Sequence, residues 1–234
     1  MEACETMKTL GIIPSMGPLA GTYFINRVLE FTPAKKEWEY FHILADYNMS
    51  IPSRTRALLY NEKSPVKETV NTINKLGEWG AHMVAIPCNS VHFWYKDVSD
   101  LIKIPWLNMI ETVSSVVKKK NLTDVLVIGG YATVQGKLYD QYLDNTHYLS
   151  ENDNKELYNL IEKLKLKGND ESLKKEFYNI VKPYENKVDG IVIACTEPSM
   201  LFGVDESCWH SFQIIDSTNE YAKKCVELCK EIKL

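Results

Sequence analysis

The sequence predicts an α/β protein of two similar lobes, each a parallel sheet flanked by helices, with its active site in the cleft between them. Three observations predict it. Short, unbroken apolar strands alternate with amphipathic helices along the 234 residues, the pattern of parallel strands buried on both faces by helices. The alternation starts afresh past the middle of the chain. Two strand ends, nearly half a chain apart, also read alike: Met83-Val84-Ala85-Ile86-Pro87-Cys88-Asn89-Ser90 and Ile191-Val192-Ile193-Ala194-Cys195-Thr196-Glu197. The lobes are drawn as 7–112 with 215–234, and 113–214.

Taken in order, Thr9–Ile13 is an apolar strand, broken by Pro14-Ser15-Met16-Gly17-Pro18. Ala20–Phe31 is helical, with Phe24, Val28 and Phe31 near one face. Tyr40–Ala45 is a strand, and Asp46–Arg54 a loop. Pro65–Trp79 is a helix with Val66, Val70, Ile73 and Leu76 on one side. His82–Ile86 is a strand stopped by Pro87, a helical stretch starts near Ser90, and Trp106–Met109 is strand-like. Ile110–Lys119 is a helix. The second half reads as strand Asp124–Ile128, turn Gly129-Gly130 and helix Gln135–Leu143. Polar-faced helices follow at Glu156–Lys165 and Ser172–Val181, then strands Gly190–Ala194 and Gln213–Ile215, and a closing helix Glu220–Ile232. Crossovers in such folds are right-handed, and ligands sit beyond the carboxyl ends of the strands.

Composition narrows the function classes. The chain is 45% hydrophobic and 25% charged, an ordinary globular balance. A net charge of −4 gives no basic surplus for nucleic acid or anionic lipid. Lys118-Lys119-Lys120 reads as a solvated helix end. No apolar run reaches the ~20 residues of a membrane helix. The acidic N-terminal stretch does not resemble a signal peptide, and Met7-Lys8 offers a second start. The expectation is a cytoplasmic protein. Six cysteines, without a CxxC pair or a histidine cluster beside them, are expected to be reduced thiols and not a metal site. Cys225 and Cys229 read as core residues. Neither GxGxxG nor GxxxxGK[ST] occurs, which argues against dinucleotide and ATP binding.

The strand ends hold the candidate chemistry. A cysteine just ahead of a helix meets unpaired N–H groups and the positive end of the helix dipole, which favour thiolate. Cys88 and Cys195 are therefore candidate bases or nucleophiles, with Asn89, Ser90 and Thr196 as adjacent donors. On pattern alone, two packed thiols fit equally well. The amides after Ser15, at Met16 and Gly17, suit a carboxylate. Asn48, Ser53, Arg54 and Thr55 follow the second strand. Arg54 suits a bidentate carboxylate contact or a place on the surface. Thr133 reads as a donor or a helix cap. His92, four residues after Cys88, reads as a tuner of that thiol or a satisfied partly buried histidine.

These segments resemble the aspartate/glutamate racemase superfamily, and its aspartate racemase branch in particular. Gly11-Ile12-Ile13-Pro14-Ser15-Met16-Gly17-Pro18 is similar to that branch's GGMGP loop, and Ile51-Pro52-Ser53-Arg54-Thr55 to its IPDRT segment. Pro87-Cys88-Asn89-Ser90-Val91-His92 resembles PCNTAH, Ala194-Cys195-Thr196-Glu197 resembles GCTE, and Asp216-Ser217-Thr218 resembles the closing D-S/T-T. The matches run in order over nearly the whole chain. The resemblance implies a racemase without cofactor, commonly a homodimer, acting on a small amino acid, aspartate or glutamate first. Cys88 and Cys195 would be its two bases. Asn89, Ser90 and Thr196 would bind the substrate's amino and carboxylate groups, Arg54 would take a carboxylate, and Lys167, in Lys167-Gly168, would approach the site. Four positions depart from the pattern: Pro14-Ser15 for Gly-Gly, Ser53 for aspartate, Ser90 for threonine and Ala194 for glycine. Maleate isomerases, racemases of other amino acids and a binding protein without catalysis share the layout and stand as alternatives.

Overall fold

The computed structural model describes residues 8–167, 170–202, 208–209 and 212–230. The fold divides into two compact units. One takes in the chain up to Met109 together with the segment from Tyr221, and the other is Ile110–Glu220.

In the first unit, β1 (Leu10–Ile12) leads through Pro14–Gly17 into α1 (Pro18–Phe31). Gly17, at φ 98°, makes a turn that a side chain would strain, and Pro18 takes the first helical position, where its missing N–H costs nothing. β2 (Ile43–Ala45), α2 (Arg54–Tyr60), α3 (Val66–Glu78) and β3 (Met83–Ala85) follow. A 3-10 turn, Asn89–Trp94, and the short α4 (Tyr95–Ser99) complete the unit's first pass. The strands are parallel in the order β2-β1-β3, with Gly11 between Leu44 and Val84. α3 buries Thr69, Thr72, Ile73 and Leu76. Val66 and Val70 pack only partly.

The second unit runs from α5 (Met109–Lys119) through β4 (Asp124–Gly129), α6 (Tyr131–Gln135), β5 (Asn145–Tyr148), α7 (Glu151–Lys167) and α8 (Glu171–Val181). Then come β6 (Gly190–Ala194), α9 (Thr196–Ser199), β7 (Cys208–Trp209), β8 (Phe212–Asp216) and the first four residues of α10 (Ser217–Lys230), the rest of which belongs to the first unit. The sheet order is β5-β4-β6-β8-β7, parallel throughout except β7 against β8. β4 and β6 are wholly apolar where they pair and wholly buried there. α7 and α8 cover one face through Leu157, Leu160, Leu164, Leu173 and Phe177.

The predicted architecture of two parallel sheets flanked by helices is therefore present, and several elements differ from the expectation. Asn145–Tyr148 is an edge strand that polar residues disguise: it pairs only with β4 and half its residues are exposed. Helix Gln135–Leu143 is not formed. α6 ends at Gln135 and Lys137 turns to φ 46°, although Leu138, Tyr139 and Leu143 are buried. The loop read at Asp46–Arg54 is present up to Ser53, and Arg54 already opens α2, which Ser53 caps by accepting from Arg56 N. Trp106–Met109 contributes a single bridge, Val84 to Trp106. α7 starts five residues early because Ser150 accepts from Asp153 N at its N-terminus. The end of the closing helix at Ile232 lies outside the described residues. Among the described residues, no helix is long and apolar enough to cross a membrane.

Candidate active site

Cys88 and Cys195 occupy equivalent places. Each follows a buried parallel strand and is the N-cap of the next turn, in extended backbone (φ −148° and −149°). Those turns are short, six 3-10 residues after Cys88 and four helical residues after Cys195. The first turn itself is present at both. The long-helix dipole expected from the sequence is not, since a macrodipole sums over aligned peptides.

In the first unit Cys88 is 8% exposed and belongs to an apolar cluster with Ile13, Ile51, Ile86 and Val91, against which Met16 packs. Its carbonyl is fixed by His92. Met109 N–H donates to His92 Nε2 at 3.0 Å, so Nε2 carries no proton. Nδ1 must then hold it and donates to Cys88 O at 2.9 Å. Burial lowers the His92 pKa to about 4, against the pull of the Cys88 carbonyl. His92 is thus a neutral clamp. Tyr221 fixes the same strand end, accepting from Ile86 N at 3.2 Å and donating to Leu107 O at 2.7 Å.

Arg54 opens α2, which packs on the Cys88 turn. One guanidinium nitrogen donates to Pro52 O at 3.1 Å, while Nε is buried without a partner. The amides of the Ser15-Met16-Gly17 loop stand at the end of β1, and the Ser15 hydroxyl is likewise buried without a partner. Asn48 is committed elsewhere: its amide donates to Thr72 Oγ1 and accepts from both the N–H and the hydroxyl of Ser50. Asn89 is buried beside Cys88, and Ser90 is partly buried. Ser53, in the place of an expected aspartate, serves as a helix cap, which either residue can do.

In the second unit the Cys195 thiol donates to Glu197 Oε2 at 3.0 Å. α7 packs against α9, the turn that follows Cys195. Lys165 lies there. Its ammonium is partly desolvated, bonded to Glu162 at 2.6 Å, and held in its charged form by Glu162 together with nearby Glu197 and Cys195. Thr196 is buried at the head of α9. Thr133 is fully buried, its methyl against the Gly129 backbone. Lys167 ends α7, with its side chain outside the described residues. Beneath Cys195, Ser199 donates to the buried Asp216 at 2.8 Å, and Asp216 Oδ1 also accepts from the N–H groups of Thr218 and Asn219. Burial raises the Asp216 carboxyl to about 6.

The structure thus brings Met16, Asn89 and Ser90 to Cys88, sets Arg54 on the helix that packs on the Cys88 turn, and puts Thr196 beside Cys195. Sequence reasoning gave no role to Glu197, although it quoted it two positions after the cysteine, and it passed over Lys165, two positions before the lysine it chose.

Comparison with known proteins decides the lineage. The sequence model of the Asp/Glu/hydantoin racemase family matches residues 13–225. The chain belongs to this family. It is 24% identical over 226 residues to the broad specificity amino-acid racemase RacX of Bacillus subtilis, covering 93% of this chain and 96% of that one. Its fold matches the Picrophilus torridus aspartate racemase with TM-score 0.83 and 26% identity, over 95% of this chain and 94% of the other. An aspartate racemase homologue from Pyrococcus horikoshii OT3 matches at 0.77 and 22%, over 96% and 100%. These neighbours put the chain in the aspartate branch of the superfamily, and the reaction class is amino-acid racemisation.

Proposed function

We propose that this racemase interconverts the enantiomers of an amino acid by a two-base mechanism between Cys88 and Cys195, with aspartate and glutamate the first substrates to test. The matched placement of the two thiols, one at a strand end of each unit, carries the reading. One sulfur, as thiolate, takes the α-proton. The electron pair left on carbon delocalises into the carboxylate, and the other sulfur, as thiol, delivers its proton to the opposite face. The pair then rests with its protons exchanged. Cys195 is the sulfur that bears the proton at rest, because it donates to Glu197.

Preorganised donors must stabilise the carbanion, and water must be kept from it. Arg54, with its buried, unpartnered Nε, supplies a fixed cation for a carboxylate. The amides around Met16 and the groups of Asn89, Ser90 and Thr196 supply donors. Lys165, on the helix that packs on the Cys195 turn, is a further cation for an acidic substrate. Lys167, on the same helix, has its side chain outside the described residues and stays in the proposal beside Lys165. A homodimeric state belongs to the same proposal. The relative RacX is named for broad specificity, so the assay spans amino acids beyond aspartate. Purified protein without added cofactor should racemise at least one, and Cys88→Ser or Cys195→Ser should each remove the activity. Full activity in either variant overturns the two-base assignment.

A further inference from the structure

β4 and β6 run in parallel register with Gly129 beside Ala194, so the Gly130-Tyr131 turn lies level with Cys195 at the carboxyl end of the sheet. That is where parallel sheets hold ligands. The Tyr131 ring lies against Tyr158 of α7, centroids 5.4 Å apart. Tyr158 packs on the same apolar cluster as Cys195. Its burial, then the nearby Tyr131 hydroxyl and Cys195 sulfur, keep its phenol protonated.

The two rings wall a cavity of about 520 Å³, with Val134, Gln135, Asn154 and Lys155 among its other walls. This is within the range of small-molecule sites and far more than the side chain of aspartate occupies. Asn154 donates its Nδ2 to Leu149 O at 2.9 Å, which fixes the other atom of the amide as oxygen. That oxygen, Oδ1, is buried and has no partner. A buried acceptor left unpaired costs free energy, which an incoming N–H or O–H would recover. The charge of Lys155 is cancelled by Glu151 at 2.9 Å, and Lys137 is exposed to solvent. The walls therefore offer aromatic surface, the phenol groups of Tyr131 and Tyr158, the Gln135 amide and the unpartnered Asn154 acceptor.

We propose that this cavity receives the substrate's side chain and extends the range of the enzyme to bulky neutral amino acids ending in a hydrogen-bond donor, tyrosine and tryptophan above all. The proposal rests on the racemase reading. Arg54 then holds the carboxylate common to all amino acids.

The test measures α-deuterium exchange in D2O for L-tyrosine, L-tryptophan, L-alanine and L-aspartate, with wild-type protein and Asn154→Leu. Thermal shift with tyrosine on Cys195→Ser serves as a binding readout. Tyrosine and tryptophan should exchange, and Asn154→Leu should lower the tyrosine-to-alanine ratio of kcat/KM at least tenfold. Exchange confined to acidic amino acids, or an unchanged ratio, overturns the pocket and leaves the racemase reading standing. Exchange of no amino acid, with tyrosine still stabilising Cys195→Ser and that stabilisation lost in its Asn154→Leu derivative, refutes the racemase reading and upholds the pocket. Absence of both exchange and tyrosine binding overturns both.

Discussion

Replacing His92 by phenylalanine should uncouple stability from acid in the first unit. Phenylalanine keeps ring contacts with Tyr95, Trp106 and Tyr221, which surround the imidazole. It leaves Cys88 O and Met109 N–H, both partners of the imidazole, without it. Two such losses cost about 2–5 kcal/mol near neutral pH. His92 titrates near about 4 in the folded protein, against about 6.5 unfolded. The unfolded chain therefore binds more protons between those values, and wild-type stability, full above about 6.5, falls as pH drops through that window. Between pH 7.5 and 5 the loss is about 2 kcal/mol, from the two pKa values and ~1.4 kcal/mol per tenfold change. His92→Phe lacks this loss, so its penalty should shrink by about 2 kcal/mol at pH 5. Urea unfolding followed by tryptophan fluorescence reads it, because Trp38, Trp79, Trp94 and Trp106 all lie in the first unit. The same penalty at both pH values would refute the neutral-clamp assignment.

Other perturbations test other parts of the account. Gly21→Ala places a Cβ 2.1 Å from the Pro14 carbonyl, so the loop after β1 must move. A stability loss of about 3 kcal/mol or more is expected by chemical denaturation. Ser53→Asp should keep the cap of α2 and near-wild-type melting, while Ser53→Ala should cost about 1 kcal/mol. Asp216 titrates at about 6 when folded, so its charging opposes folding as pH rises from about 4 to 6. Asp216→Asn keeps an acceptor for Ser199 and the Thr218 and Asn219 amides. It should remove that fall in the second unit's stability, read by hydrogen exchange.

Much of this was legible in the sequence because burial writes itself in apolar runs. Gly190–Ala194 is a strand as read, since every position is inside. The strand Asn145–Tyr148 was not legible, because an edge position leaves polar residues in a paired backbone. Leu138, Tyr139 and Leu143 show the reverse error: burial spaced like a helix, carried by turns. At the site, residue types on strand ends were readable, but their commitments were not. Asn48 read as a candidate binding residue, yet Thr72 and Ser50 take one of its N–H groups and its oxygen. Of the two readings of His92, a tuner of the thiol or a satisfied buried histidine, the structure shows the second, with its bond to the backbone carbonyl. The Glu197 contact to Cys195 depends on how one short turn folds.

The most direct test of the two-thiol account is the isotopic course of racemisation in D2O, started from each pure enantiomer of a substrate the protein turns over. Two separate bases predict that the product formed early carries solvent deuterium at the α-carbon while the remaining substrate does not, in both directions. Early deuterium in the remaining substrate at the same rate as in the product would indicate a single base, and would contradict the assignment of Cys88 and Cys195 to opposite faces.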